Sequence, residues 1–229
     1  MIGDKDRSIV TSDRVPSKTL NNKVLVRIDL IPDEYKSGII RGDSLWDESG
    51  HAVRTGVVCV KPDRLFNKRD HGHGMDWKFP YDEQTLLVGD VVYFGLVESF
   101  NCPVIIVDGV RYFLVDFQEI IFVKRGRGER IIPLNGYVLV GEYREKEKSK
   151  YIIVPDNTEK QNLKKGVVKY VGKMNSRYVN RKAKDAVDVN VGDVVNFRMN
   201  LWTKLEDERY CTFEKGLGYV QRRWINYKI

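Results

Sequence analysis

The sequence predicts an all-β chain folded as two similar small antiparallel barrels with long loops. Three observations carry this. Apolar residues alternate with a period of two through short segments. Glycine-bearing turns separate those segments, and the same order of segments occurs twice. No long stretch shows a 3.6-residue apolar period; only residues 180–186 suggest a turn of helix.

The elements follow in order. Val24–Ile31 alternates, with Val24, Val26, Ile28 and Leu30 on one side and Arg27 and Asp29 on the other. Gly56–Val60 is a short strand. Leu86–Phe94 is two apolar runs broken by Gly89-Asp90, a tight-turn signal. Val104–Val115 holds Asp108-Gly109 between two β-branched and aromatic runs, which predicts a hairpin whose central residues both take positive φ. Ile120–Val123 closes the series.

After residue 130 the pattern returns. Val24-Leu25-Val26 recurs as Val138-Leu139-Val140, and Ser37-Gly38-Ile39-Ile40 as Lys150-Tyr151-Ile152-Ile153. Gly56-Val57-Val58 recurs as Gly166-Val167-Val168, and Val88-Gly89-Asp90-Val91-Val92 as Val191-Gly192-Asp193-Val194-Val195. Arg111-Tyr112 is matched to Arg209-Tyr210, which makes the separation fall steadily from 114 (Val24 to Val138) to 98 (Arg111 to Arg209). Two copies are too few for a solenoid, so two barrels are expected. The expected boundaries are an irregular tail at 1–20, a first barrel at 21–124, a basic linker at 125–130 and a second barrel at 131–229. The linker, Lys124-Arg125-Gly126-Arg127-Gly128-Glu129-Arg130 with its flank, is charged, glycine-interrupted and free of apolar residues.

Composition narrows the function classes. With 42% hydrophobic and 31% charged residues in 229, the chain is globular rather than a charged disordered polymer. No apolar run approaches the roughly 20 residues of a membrane span. The polar start MIGDKDRSIVTSDR lacks a secretory apolar stretch, and Cys59, Cys102 and Cys211 are scattered and odd in number. A reducing, cytoplasmic setting is therefore expected. The net charge of +7, from 39 Lys plus Arg against 32 Asp plus Glu, permits acidic partners without demanding them.

At this order of motifs the chain resembles a tandem of GroES-type co-chaperonin domains, the chaperonin-10 family. Four features carry the resemblance: the opening strands VLVRI and VLVGE; a polar loop bearing an apolar tripeptide, in copy two within Ser149–Gly172; the strand-turns VGDVVYF and VGDVVNF; and the closing segment Ile105–Val123. The resemblance implies an irregular antiparallel β-barrel with a mobile loop below and a roof hairpin above. It implies assembly into rings that cap an ATP-driven chaperonin of the GroEL type, with no catalysis, cofactor or metal. It places chaperonin binding at Gly38, Ile39 and Ile40 in copy one and at Tyr151, Ile152, Ile153 and Val154 in copy two. Copy one departs from the family pattern at Arg41, where a third apolar residue is usual, and copy two at Tyr151, where glycine is usual.

Other constellations weigh less. His71-Gly72-His73-Gly74 could offer two metal ligands, but His51 is the one further histidine, so an elaborated exposed loop is the better reading. Ser44 and Ser49 with His51 fall in a loop that cannot preorganise a nucleophile, and RGRG lacks the Lys-Ser/Thr ending of a phosphate loop. Nucleic-acid binding is the main non-chaperone alternative. It would rest on Arg125, Arg127, Arg130, Arg177-Tyr178, Arg181-Lys182, Lys184 and Arg222-Arg223-Trp224, where basic and aromatic residues interleave. A third class is a barrel reused as a structural module, for example in a viral particle.

Overall fold

The computed structural model describes residues 8–28, 54–63, 86–95, 101–126, 130–146, 159–172, 189–197, 203–204 and 217–229. The chain divides into two compact units, Met1–Ile131 and Ile132–Ile229. The fold is all-β in both, and the segment at 180–186 lies outside the described residues.

The first unit is built from β1 (Ile9–Thr11), β2 (Lys23–Ile28), β3 (Thr55–Val60), β4 (Val91–Phe94), β5 (Val104–Val107), β6 (Val110–Asp116) and β7 (Ile120–Arg125). With β8 (Arg130–Pro133) they form one sheet in the order β1-β5-β6-β2-β3-β4-β7-β8. Val24, Val26 and Ile28 are buried, as their alternation predicts. Leu25 is buried as well, because Val107 and Tyr112 cover it. Asp108 (φ 49°) and Gly109 (φ 76°) turn β5 into β6 with both central residues left-handed, the conformation whose twist matches paired strands. Aromatic rings fill this core. Phe94, Phe113, Phe117 and Phe122 are all less than 2% exposed, and Phe94 meets Phe113 edge to face at 6.2 Å.

Two boundaries differ from the sequence expectation. Within the supposed irregular tail, Ile9–Thr11 adds to β5 as a parallel strand. Val104 N–H donates to the Ser8 carbonyl and Ser12 N–H to the Ile106 carbonyl, both at 2.9 Å. Strand β5 would otherwise leave its outer backbone groups without partners, and β1 satisfies them. Of the supposed linker, Arg125 is the last residue of β7 and Arg130 the first of β8; residues 127–129 lie outside the described residues.

The second unit contains β9 (Tyr137–Lys146), β10 (Glu159–Val171), β11 (Val194–Phe197), β12 (Thr203–Lys204), β13 (Leu217–Gln221) and β14 (Ile225–Lys228), in the order β12-β13-β9-β10-β11-β14. Its core is aliphatic: Val138, Val140, Val168, Val189, Val195, Val220 and Ile225, with Trp224 packed against them.

The two sheets repeat one ladder residue for residue. In the first, Val26 lies opposite Val58, and Leu25 opposite Val60, a one-residue bulge at Cys59. In the second, Val140 lies opposite Val168, and Leu139 opposite Tyr170, the same bulge at Lys169. Gly56 faces Val92 as Gly166 faces Val195. A second bulge also repeats, with Tyr93–Phe122 followed by Phe94–Ile120 and Asn196–Tyr227 followed by Phe197–Ile225.

One sequence equivalence is corrected by this ladder. Tyr112 faces Arg27, and the residue facing Gly141 at the same place is Leu217. Tyr112 therefore corresponds to Leu217, 105 residues on, and not to Tyr210. The separation does not shrink steadily, because the closing strand β13 follows a longer stretch in the second copy than the Arg-Tyr match suggested. Arg209 and Tyr210 lie outside the described residues.

Candidate functional site

The residues expected to contact a chaperonin (Gly38, Ile39, Ile40, Tyr151, Ile152, Ile153 and Val154) all lie outside the described residues. The structure describes the roots from which their segments spring. These roots differ between the units.

In the second unit the segment 147–158 is closed by a paired stem. Glu159 lies opposite Lys146, Lys160 opposite Glu145, and Gln161 opposite Arg144. Below the stem the register jumps to Gly166 opposite Glu142, so β10 carries extra residues that β9 does not match. Such an irregularity bends and twists the strand that bears it, and here it separates the stem from the barrel ladder. Tyr143 falls on the short side of the jump, with the Lys165 ammonium 5.7 Å from its ring centroid. In the sequence, Ile152-Ile153-Val154 falls about halfway between Lys146 and Glu159, the last paired residues of the stem.

In the first unit the pairing of β2 with β3 extends to Arg27 opposite Val57. The returning root is held by Arg54. Its Nε donates to the Phe94 carbonyl at 3.2 Å, and its guanidinium lies 4.7 Å from the Tyr93 ring centroid. Tyr93 in turn stacks on Phe122 at 5.1 Å. Beyond this root, Gly56 admits no side chain: a Cβ would come within 2.5 Å of the Arg27 carbonyl oxygen and of Val26 Cγ1. Arg54 was not singled out in the sequence, where it reads as one more solvated arginine.

Each strand-turn is locked by its aspartate. Leu87 N–H donates to Asp90 Oδ2 at 2.8 Å, and Arg125 grips the same carboxylate through Nε at 2.8 Å and Nη2 at 2.7 Å. The Asp90 side chain is 2% exposed, and its hydrogen bond holds the Arg125 guanidinium above its ordinary pKa. In the second unit Asn190 N–H donates to Asp193 Oδ2 at 2.8 Å, and Lys228 Nζ lies 2.8 Å from the same oxygen. The Lys228 hydrogen bond, then the Asn190 backbone bond, pull Asp193 below the usual carboxylate range.

These pairings bear on the basic residues considered for nucleic acid. Arg125 is committed to Asp90, Arg222 Nη2 donates to the Gly172 carbonyl at 2.8 Å, and Trp224 packs on the valine core. Arg130 is exposed, while Arg127, Arg177, Tyr178, Arg181, Lys182 and Lys184 lie outside the described residues. Among the described residues no three of His, Cys, Asp and Glu gather as metal ligands, and neither Cys59 nor Cys102 is joined in a disulfide. His51, His71 and His73 lie outside the described residues. No described helix is long and apolar enough to cross a membrane.

A search of curated proteins finds no match to the chain. The family model described as the chaperonin 10 kDa subunit matches residues 130–215, from the first residue of β8 through most of the second unit. That stretch, including the stem and the segment it closes, is similar to a chaperonin-10 domain.

Proposed function

We propose that this protein is a co-chaperonin that caps a GroEL-type chaperonin ring and assists protein folding without catalysing a reaction of its own. The observation that carries this reading is the chaperonin-10 match over residues 130–215, which contains an apolar tripeptide between the arms of a paired stem. The repeated ladder supports extending the reading to the first unit, so that the chain holds two chaperonin-10-type barrels in tandem.

In this function the contacts are Gly38-Ile39-Ile40 and Tyr151-Ile152-Ile153-Val154. Ordering a flexible segment on binding costs about 2–5 kcal/mol. Burying two or three aliphatic side chains returns roughly 1.5–3 kcal/mol each. One segment alone is thus a weak ligand. Several presented on one oligomer bind strongly through effective concentration and release together. The setting is the cytoplasm, and neither cofactor nor metal is required.

The test is capture of a GroEL-type chaperonin by the immobilised full chain, with and without ATP. Wild-type protein is expected to retain the chaperonin in the presence of nucleotide. The double variant Ile39→Asp with Ile152→Asp is expected to lose capture while keeping the wild-type circular dichroism spectrum. Undiminished capture by a folded double variant would falsify the assignment.

A further inference from the structure

The repeated ladder makes the outward faces of the two sheets comparable position by position. In the second unit Val138, Val140 and Val220 belong to the core, so alternation sends Tyr137, Leu139 and Tyr219 to the other face. The outward row there reads Tyr219, Leu139, Tyr170 across β13, β9 and β10, and beside it Gln221 lies opposite Tyr137. The same places in the first unit hold Leu114, Leu25 and Val60, with Asp116 opposite Lys23. Tyrosines therefore replace Leu114, Val60 and Lys23. Tyr137 is 8% exposed and meets Tyr219 edge to face at 5.8 Å, while Tyr170 and Tyr219 are half-buried.

Polar groups border these rings. Lys169 is exposed, and its stem lies across Gly141 on the same face: a Cβ on Gly141 would come 2.9 Å from Lys169 Cε. The first unit has Cys59 and Arg27 at those two places. Asp116 accepts a hydrogen bond from Gln118 N–H at 3.2 Å and so caps the turn that follows it. Its counterpart Gln221 makes no such cap. Gln221 is 9% exposed, and its Oε1 is buried without a hydrogen-bond partner among the described residues. Charge divides between the units in the same way. Ile132–Ile229 holds 20 Lys plus Arg against 12 Asp plus Glu, whereas Met1–Ile131 holds 19 against 20. The whole positive surplus belongs to the unit that carries the tyrosines.

We propose that the tyrosine face of the second unit binds single-stranded RNA. Bases stack on aromatic side chains whatever their identity, and a positively charged surface draws the phosphate chain to them. The strand must be unpaired, because a duplex keeps its base faces stacked on one another. Tyrosine adds to each ring a hydroxyl that can pair with a ribose 2′-OH, and the Gln221 amide offers another such group. That hydroxyl is what distinguishes RNA from DNA at a protein surface. An acidic protein segment would match the charge but brings no row of planar faces for the rings. The site uses none of the tripeptide residues, so RNA binding and chaperonin capture can fail separately.

The experiment adds a fluorescein-labelled RNA of mixed sequence, about 12 nucleotides long and carrying 5-iodouridine, to the full chain. Fluorescence anisotropy is expected to show saturable binding at about 50 mM salt that weakens as salt rises, and weaker binding of DNA of the same sequence. Irradiation is expected to join the RNA to Tyr170 or Tyr219. Tyr170→Ala and Tyr219→Ala are each expected to weaken binding at least about fivefold with an unchanged circular dichroism spectrum. Tyr219→Phe keeps the ring, and is expected to bind the DNA as wild type does while narrowing the difference between RNA and DNA. Lys169→Gln, on an exposed side chain, is expected to reduce the slope of log affinity against log salt by about 0.7. Absence of binding at about 50 mM salt would overturn the proposal, as would crosslinks away from these tyrosines or equal affinity for the DNA. Displacement of the RNA by polyglutamate at equal charge would overturn it in favour of an acidic protein partner.

Discussion

Replacing Asp90 by alanine tests whether the first unit depends on its turn lock. The carboxylate accepts three hydrogen bonds, from Leu87 N–H and from two guanidinium nitrogens of Arg125, at 2.7–2.8 Å. Its side chain is 2% exposed, so water cannot replace those bonds in place. Breaking a buried ion pair costs about 3–5 kcal/mol because the abandoned charge remains buried. The Arg125 side chain is 30% exposed and recovers part of its hydration, which lowers the expected loss to about 2–4 kcal/mol. Asp90→Asn keeps an acceptor for Leu87 but removes the counter-charge, and should fall between wild type and alanine. The equivalent Asp193→Ala removes a solvent-screened pair and should cost clearly less. Hydrogen-exchange mass spectrometry in a denaturant series reads each unit through its own peptides: 86–95 and 120–126 for the first, 189–197 and 217–229 for the second. A loss below about 1 kcal/mol for Asp90→Ala, or an equal loss for Asp193→Ala, would refute the burial argument.

Three further outcomes are expected. Gly56→Ala sets a methyl group within 2.5 Å of a carbonyl oxygen and should destabilise the first unit strongly, seen as a lower urea midpoint with an unchanged slope. Gly109→Ala meets open space but keeps a φ of 76°, so it should cost only about 1–2 kcal/mol in the same assay. Because Asp193 is held below the ordinary carboxylate pKa, its pairing stabilises the fold fully above the unfolded value of about 3.9, and that stabilisation is lost as pH falls through the lower folded value. Carbon-detected NMR titration should show the Asp193 carboxylate moving back up in Lys228→Ala.

Much of the framework was legible because backbone requirements are written in few residues. Asp108-Gly109 announced the β5–β6 hairpin, since few other dipeptides take two positive φ values cheaply. Val-Gly-Asp announced both strand-turns, because glycine supplies φ of 90° and 95° and the aspartate closes the turn. What escaped was anything set by pairing at a distance. Strand β1 alternates too briefly to be seen, and only the waiting edge of β5 makes it a strand. Arg125 looked like linker charge because its partner is 35 residues away. The Arg111-Tyr112 match to Arg209-Tyr210 failed because two-residue similarity is weak beside a ladder that fixes register over every strand. The tripeptides were picked out by family resemblance and by no local backbone requirement.

The repeated ladder also explains how the two units diverge without losing the frame. The residues that hold register are a small set: the glycine at the start of β3 and in β10, the bulge after Val58 and Val168, and the aspartate of each turn. Around them the core changed from phenylalanines to valines. The strand that ends each unit changed in a particular way. Ile121, Phe122 and Val123 became Asn226, Tyr227 and Lys228 at the same ladder positions. A strand covered on its faces needs apolar residues on both, whereas one whose faces stay wet needs only its backbone edge to be satisfied.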